Sequence, residues 1–270
     1  MTNPQDRSSQ SVKLEVEGFL EQGSITPQSL EFLKACLVAK VNLAVSSLSG
    51  SANRKLVQAL ISLLPGDEQI LAIQNADEPS LVGKGLTTLR ANLSPGQGKH
   101  IITRHYLLTL VPKMHPQRLL LDRVQGSEAL PLLKLLFAMD GVMFSIVADS
   151  PEEALSNLER MLLLSESGLN ISMIRRILSS SLDLIIQLQE SQGGSTRIVN
   201  LTEVCEAEDY TIVLRDIFLH RELEEKRDEP LCLLRPTGIR PKFADRLEML
   251  GISLPSDIFI SRHEKKGAAP

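Results

Sequence analysis

Tryptophan is absent from this 270-residue chain, and aromatic residues make up only 3% of it. The core must therefore be built from Leu, Ile, Val and Ala. So few aromatics leave little on which nucleic-acid bases could stack. The net charge of −4 supplies no basic stripe, which argues against a nucleic-acid module and against a basic membrane-surface protein. Cysteine is scarce as well. Cys36, Cys205 and Cys232 lie far apart, are odd in number and show no CxxC spacing. They read as reduced thiols of a cytosolic protein, with no disulfide framework or zinc site implied. No apolar run approaches the roughly 20 residues that span a bilayer. The start, Met1-Thr2-Asn3-Pro4-Gln5-Asp6-Arg7, lacks the apolar stretch of a signal peptide. The expectation is a cytoplasmic protein without direct membrane insertion.

What is present is ordinary for a globular chain: 43% hydrophobic and 23% charged residues. Residues 1–23 read as a short disordered extension, 24–260 as one core domain and 261–270 as a disordered tail. Thr26-Pro27 followed by apolar residues at helical spacing marks a capped helix start. Val41 to Val45 reads as a buried strand, followed by a Ser/Gly loop and a helix carrying Leu56, Leu60, Ile61 and Leu64. Strands are expected over Gln69–Ile73, Leu86–Arg90, Arg118–Val124 and Met143–Ala148, and helices over Thr103–Val111 and Glu128–Ala138. Asp149-Ser150-Pro151-Glu152-Glu153 is a helix entry with Ser150 as N-cap, and helices follow at about 152–165 and 171–179. From Leu182 the pattern changes. Leu182–Gln189, Thr196–Val204 and Tyr210–Leu219 look like consecutive strands, the first pair joined through Gly193-Gly194. Arg221–Glu229 reads as a solvated loop, and a short helix near Phe243–Leu250 ends at Gly251. Strand–helix alternation implies a mostly parallel sheet flanked by helices, here followed by an antiparallel meander and a short helical tail.

Strand, small-residue loop and helix together form the setting of a phosphate-binding loop, where backbone N–H groups and the helix dipole cradle anions. The working motif is G-x-x-x-x-G-K-S/T. This chain has Ser46-Ser47-Leu48-Ser49-Gly50-Ser51-Ala52-Asn53-Arg54, with one glycine and no lysine at the required place. By itself the loop also reads as a Ser-rich turn before a helix.

Three further stretches carry a resemblance. They are Glu31 to Cys36 leading into Val41–Ser46, Asp149 to Glu159, and Arg235-Pro236-Thr237-Gly238-Ile239-Arg240-Pro241-Lys242-Phe243. Over about Ser24 to Phe259 the chain resembles the CpaF-type ATPases of tight-adherence pili, within the type II/type IV secretion ATPase superfamily. The resemblance implies a RecA-like P-loop NTPase core.

It also implies where catalytic groups belong, and this sequence departs there. Ser49, Gly50, Ser51 and Ala52 remain as a remnant phosphate loop. The family's lysine falls on Asn53 and its magnesium-binding threonine on Arg54. Its acidic pair falls on Gln74 and Asn75, its Walker B glutamate on Arg123 and its box histidine on Val147. Interface arginines fall on Thr109, Lys113 and His115. Phosphoryl transfer depends on positioning and charge stabilisation. Each lost group is expected to remove roughly 10²–10³ in rate. No catalytic residue and no bound cofactor are therefore expected, with ATP and magnesium entering only if the chain is a divergent slow enzyme.

Asp122, at the end of an apolar run, stays open between two readings. It is either a residual magnesium ligand or a strand-end carboxylate paired with Arg123 or Arg54. His100, His105 and His115 share no metal-ligand spacing. Family members carry a sizeable N-terminal domain before the core, whereas about 23 residues precede the resemblance here, as expected of an unused pocket.

Three functions compete. One is a catalytically inactive partner, scaffold or regulator, of an active paralogous motor or of its inner-membrane platform protein, entering a homo- or hetero-oligomer and lying at the inner membrane only through partners. The second is a slow ATPase using Lys55 or Lys84 as replacement cation, although a helix opening at Asn53 turns Lys55 elsewhere. The third is a nucleotide sensor that binds without hydrolysis.

Overall fold

Apolar residues run almost unbroken along the inner strands, the pattern of a parallel sheet covered on both faces. The computed structural model describes residues 19, 24–92, 101–165, 168–190, 195–206, 211–222, 232–255 and 257–260. The expected Gly193-Gly194 turn, His100, most of the N-terminal extension and the C-terminal tail lie outside the described residues.

The helices are α1 (Pro27–Val38), α2 (Gly50–Ser62), α3 (Arg104–Met114), α4 (Ala129–Ala138), α5 (Pro151–Leu164), α6 (Ile171–Ser181) and α7 (Ala244–Met249). The strands are β1 (Leu43–Ser47), β2 (Ile70–Asn75), β3 (Leu86–Ala91), β4 (Arg118–Leu121), β5 (Val142–Val147), β6 (Leu184–Glu190), β7 (Thr196–Glu206), β8 (Ile212–Glu222) and β9 (Cys232–Pro236). They form one sheet in the order β3-β2-β4-β5-β1-β6-β7-β8-β9. Pairing is parallel from β3 through to β6 and antiparallel from β6 to β9. This is the expected architecture: a mostly parallel α/β core followed by an antiparallel meander.

Alternation along the strands divides the core in two. Leu43, Val45, Ile70, Ala72 and Leu120 face a layer that includes Leu56 and Leu60 of α2, Phe32 of α1 and Leu247 of α7. Ala44, Leu71, Ile73, Leu119 and Leu121 face α3 to α6. Five of the seven phenylalanines belong to the first face, and four of them are in ring contact. Phe32 stands 5.5 Å from Phe218, 6.1 Å from Phe243 and 5.8 Å from Phe259, centroid to centroid. The scarce aromatics thus pin the meander and its tail to α1.

The predicted helix entries form. Thr26 caps α1 with Pro27 in the first turn. Ser150 caps α5, and Glu153 reaches back to the N–H of Asp149, one residue before the cap, at 2.6 Å. Three expectations need correction. β9 was not anticipated, because five residues ending in proline give little periodicity. Arg221 and Glu222 belong to β8 rather than to a loop. The fourth strand stops at Leu121, short of Val124, because Arg123 turns the chain with φ of 51°. The motif Arg235 to Phe243 has a structural use. Thr237 Oγ1 donates to the Asp216 carbonyl at 2.6 Å, and Phe243 N–H donates to buried Glu203 at 3.3 Å. Cys36 and Cys205 are free and buried. Burial pushes the Cys205 thiol up to about 11.

Asn42 closes the end of the sheet where β1 begins. It is 2% exposed. Its Nδ2 donates to the carbonyls of Ser181 (2.9 Å), Leu136 and Met139 (3.2 Å each), and its Oδ1 accepts from Val142 N–H (2.8 Å). One amide therefore joins β1, α4, β5 and α6. Asn42→Ala is expected to lower unfolding stability by about 3 kcal/mol, since it strands several buried partners at once. Urea denaturation checks this; a loss below about 1 kcal/mol would contradict the hub.

Candidate functional site

In open parallel sheets, ligands bind beyond the carboxyl ends of the strands. Here β1, β2, β4 and β5 end together, and the loop from β1 leads directly into α2. Three serine hydroxyls of the loop bond within it. Ser47 Oγ donates to the Ser49 carbonyl at 2.7 Å and accepts from Ser49 N–H at 3.1 Å. Ser49 caps α2 by accepting from Ala52 N–H, and its hydroxyl lies 2.9 Å from that of Ser51.

Asn53 and Arg54 follow in the first turn of α2. Asn53 is 1% exposed, and its Nδ2 donates to the Ile146 carbonyl of β5 at 3.0 Å. Its amide therefore fastens the helix to the sheet. Arg54 turns to the other side. One guanidinium nitrogen forms an ion pair with Asp122 and lies 3.2 Å from Glu78, while the other donates to the Pro79 carbonyl. Asp122, one of whose two readings is a strand-end carboxylate paired with Arg123 or Arg54, here pairs with Arg54.

Each carboxylate is held from behind. Asp122 is 7% exposed and accepts from Ser145 Oγ of β5 at 3.1 Å. Burial raises its pKa above the usual carboxylate range. Arg54 lowers it and the nearby Glu78 raises it further, but burial is the largest influence. Glu78 accepts from Asn75 N–H and Asn75 Nδ2, both at 3.1 Å. Gln74, fully buried, braces the same turn: its Nε2 donates to Pro79 O and its Oε1 accepts from Leu81 N–H, both at 3.1 Å. Gln74 and Asn75 are therefore supports of the site, and Glu78 supplies its second carboxylate.

Two more arginines clamp the turns. Arg90 of β3 donates to the carbonyls of Ala76 (2.9 Å) and Glu78 (3.0 Å). Arg104, 3% exposed, donates to the carbonyls of Asp122 (2.6 Å) and Arg123 (2.8 Å) and pairs with Glu128 at 3.2 Å. This clamp, with Ser145 Oγ accepting from Arg123 N–H at 2.7 Å, holds Arg123 in its left-handed conformation. The Arg123 side chain then folds back over the phosphate-type loop. A Cβ at residue 50 would meet its guanidinium, so any larger residue there would displace the Arg123 side chain.

The remaining predicted residues lie apart from this network. Val147 ends β5 with its side chain 40% exposed. Thr109 and Lys113 are exposed on α3, and His115 is its left-handed C-cap. His105 Nδ1 lies 2.7 Å from the Ser127 carbonyl. Lys55 is exposed, and Lys84 lies against Gly66. Among the described residues, no group of three His, Cys, Asp or Glu side chains could hold a metal. Sequence reasoning missed Glu78, Arg90, Arg104 and Ser145. The only visible signal was the acidic pair Asp77-Glu78 just past the end of β2.

Removing a shared partner from buried charges is costly, whereas neutralising one carboxylate of an over-buried pair is not. Arg54→Ala is therefore expected to cost about 3 kcal/mol in chemical denaturation, and Asp122→Asn less than about 1 kcal/mol at neutral pH. The sign of the pH effect follows from the raised pKa of Asp122. Its charge burdens the folded state increasingly as pH rises through that value. The stability of Asp122→Asn relative to the parent should thus rise from acid to neutral pH, and the opposite slope would contradict the assignment.

No family model matches the chain. It is 22% identical over 187 residues to a putative conjugal transfer protein of Mycobacterium tuberculosis, covering 69% of this chain and 53% of the relative. It is 30% identical over 168 residues to the type IV secretion system protein VirB11 of Bartonella henselae, covering 60% and 46%. The chain spans about half the length of these relatives. Among solved structures, the VirB11 ATPase of Brucella suis in complex with sulphate superposes with a TM-score of 0.57 at 21% identity, covering 75% of this chain and 56% of that one. No described helix is long and apolar enough to cross a membrane. The chain is thus similar over part of its length to VirB11 secretion proteins and shares the fold of the VirB11 ATPase.

Proposed function

We propose that this chain is a non-hydrolysing relative of the secretion motors, acting as a structural or regulatory partner of a Tad-type pilus or type II/IV secretion machine. One observation carries the reading. Arg54 lies between Asp122 and Glu78, while the Asn53 Nδ2 donates to the Ile146 carbonyl. A triphosphate needs a lysine at its β/γ end and a metal bridging its oxygens. Magnesium requires near-octahedral oxygen ligands and retained waters. A guanidinium already paired with both carboxylates does not fit that requirement. Neither Lys55 nor Lys84 supplies the missing charge, since one is exposed and the other lies on Gly66.

The partner in this proposal is an active paralogous motor or its inner-membrane platform. Closed rings use the same pair of complementary patches on every subunit, so a subunit that keeps those patches can join or cap a ring without turning over nucleotide.

A second reading, a sensor that binds an anion without hydrolysis, has one observation in its favour. The Arg123 guanidinium lies over Gly50 at the start of α2, and its buried Nε has no hydrogen-bond partner. A cation at the positive end of a helix suits an anion between them.

Phosphate release from Mg-ATP by the purified chain is expected at buffer background, and the chain is expected to co-purify with an intact homologous motor. Turnover that disappears in Asp122→Ala would overturn the inactive reading. Calorimetric binding of ADP without turnover would favour the sensor.

A further inference from the structure

We infer that Arg54 is a tethered stand-in for a divalent cation: its guanidinium holds the cation position between Glu78 and Asp122, and the chain binds no metal there for as long as Arg54 is present. The inference rests on the reading above only in taking this place for the metal position of an active motor.

The geometry argues it in three steps. First, the two carboxylates come from different turns, one after β2 and one after β4, and each has its own support. Asn75 orients Glu78, and Ser145 orients Asp122. They converge on one guanidinium. Second, without a cation between them, two like charges in a largely buried place repel each other. Third, guanidinium is a planar fork with several donors, and its third contact here is the Pro79 carbonyl. It thus joins three oxygen acceptors from two turns, as a small hard cation would, while remaining covalently part of α2.

In a metal-dependent site the cation arrives with its ligand and leaves with it. A side chain cannot leave. The turns after β2 and β4 are therefore held together in the ligand-free protein, with Arg90 and Arg104 clamping them from outside. The catalytic end of the fold becomes a permanently organised surface.

The test uses Mn²⁺ alone, read by the loss of its free electron paramagnetic resonance signal and by thermal melting, on the full chain. The parent is expected to leave the Mn²⁺ signal and its own melting temperature unchanged. Arg54→Ala should melt lower, regain melting temperature on Mn²⁺ addition, and bind Mn²⁺ at least about tenfold more tightly than the parent. The double variant Arg54→Ala/Asp122→Asn should lose that gain. Arg54→Gln, neutral but still able to donate to Pro79, carries the same measurement should the alanine variant fail to fold. Asp122-dependent Mn²⁺ binding by the parent would overturn the inference. So would a folded Arg54→Ala or Arg54→Gln variant with no gain. Neither readout depends on turnover or on a partner, so its failure is separate from that of the inactive-motor reading.

Discussion

One guanidinium, that of Arg54, organises the end of the sheet where ligands bind in this fold class. It stands between a carboxylate after β2 and a carboxylate after β4, with α2 as its anchor. An ion pair that is largely buried is not by itself a large source of stability, because desolvation offsets much of the attraction. Its effect is to exclude alternatives. A divalent cation, a lysine–phosphate contact and a rearranged turn all compete with a charge that is already in place.

The rest of the molecule supplies rigidity for that arrangement. Both faces of the parallel strands are buried, so the strand ends cannot shift without disturbing packed helices on either side. At the opposite end of the sheet, Asn42 ties β1 to β5 and to the ends of α4 and α6. Near it, buried Arg118 pairs with Glu68 and donates to the Leu37 carbonyl. Side chains tie both ends of β1: the Asn42 amide with nearby ion pairs where the strand begins, and an arginine-rich network where it ends.

Much of the fold was legible in the sequence because its signals are local. Thr26-Pro27 and Ser150-Pro151 announce helix starts through capping chemistry, and the apolar runs announce buried strands. The change from alternation to meander at Leu182 was visible for the same reason. The end of β4 was not, since it depends on Arg123 adopting a left-handed conformation that only Arg104 and Ser145 explain. The site was half legible. Phosphate-loop spacing and the resemblance located Asn53, Arg54, Asp122 and Arg123, and Arg54 was a named candidate partner of Asp122. Glu78 stayed hidden because it reaches the site from a turn, recruited by Asn75 three residues earlier. Which way the Arg54 side chain points depends on how α2 packs, and no short-range pattern encodes that.

Crystals of the chain grown in manganese, with diffraction collected at the manganese absorption edge, test the central claim most directly. The account predicts guanidinium density between Glu78 and Asp122 and no anomalous peak there. A manganese peak bridging those two carboxylates, with Arg54 swung away, would contradict it.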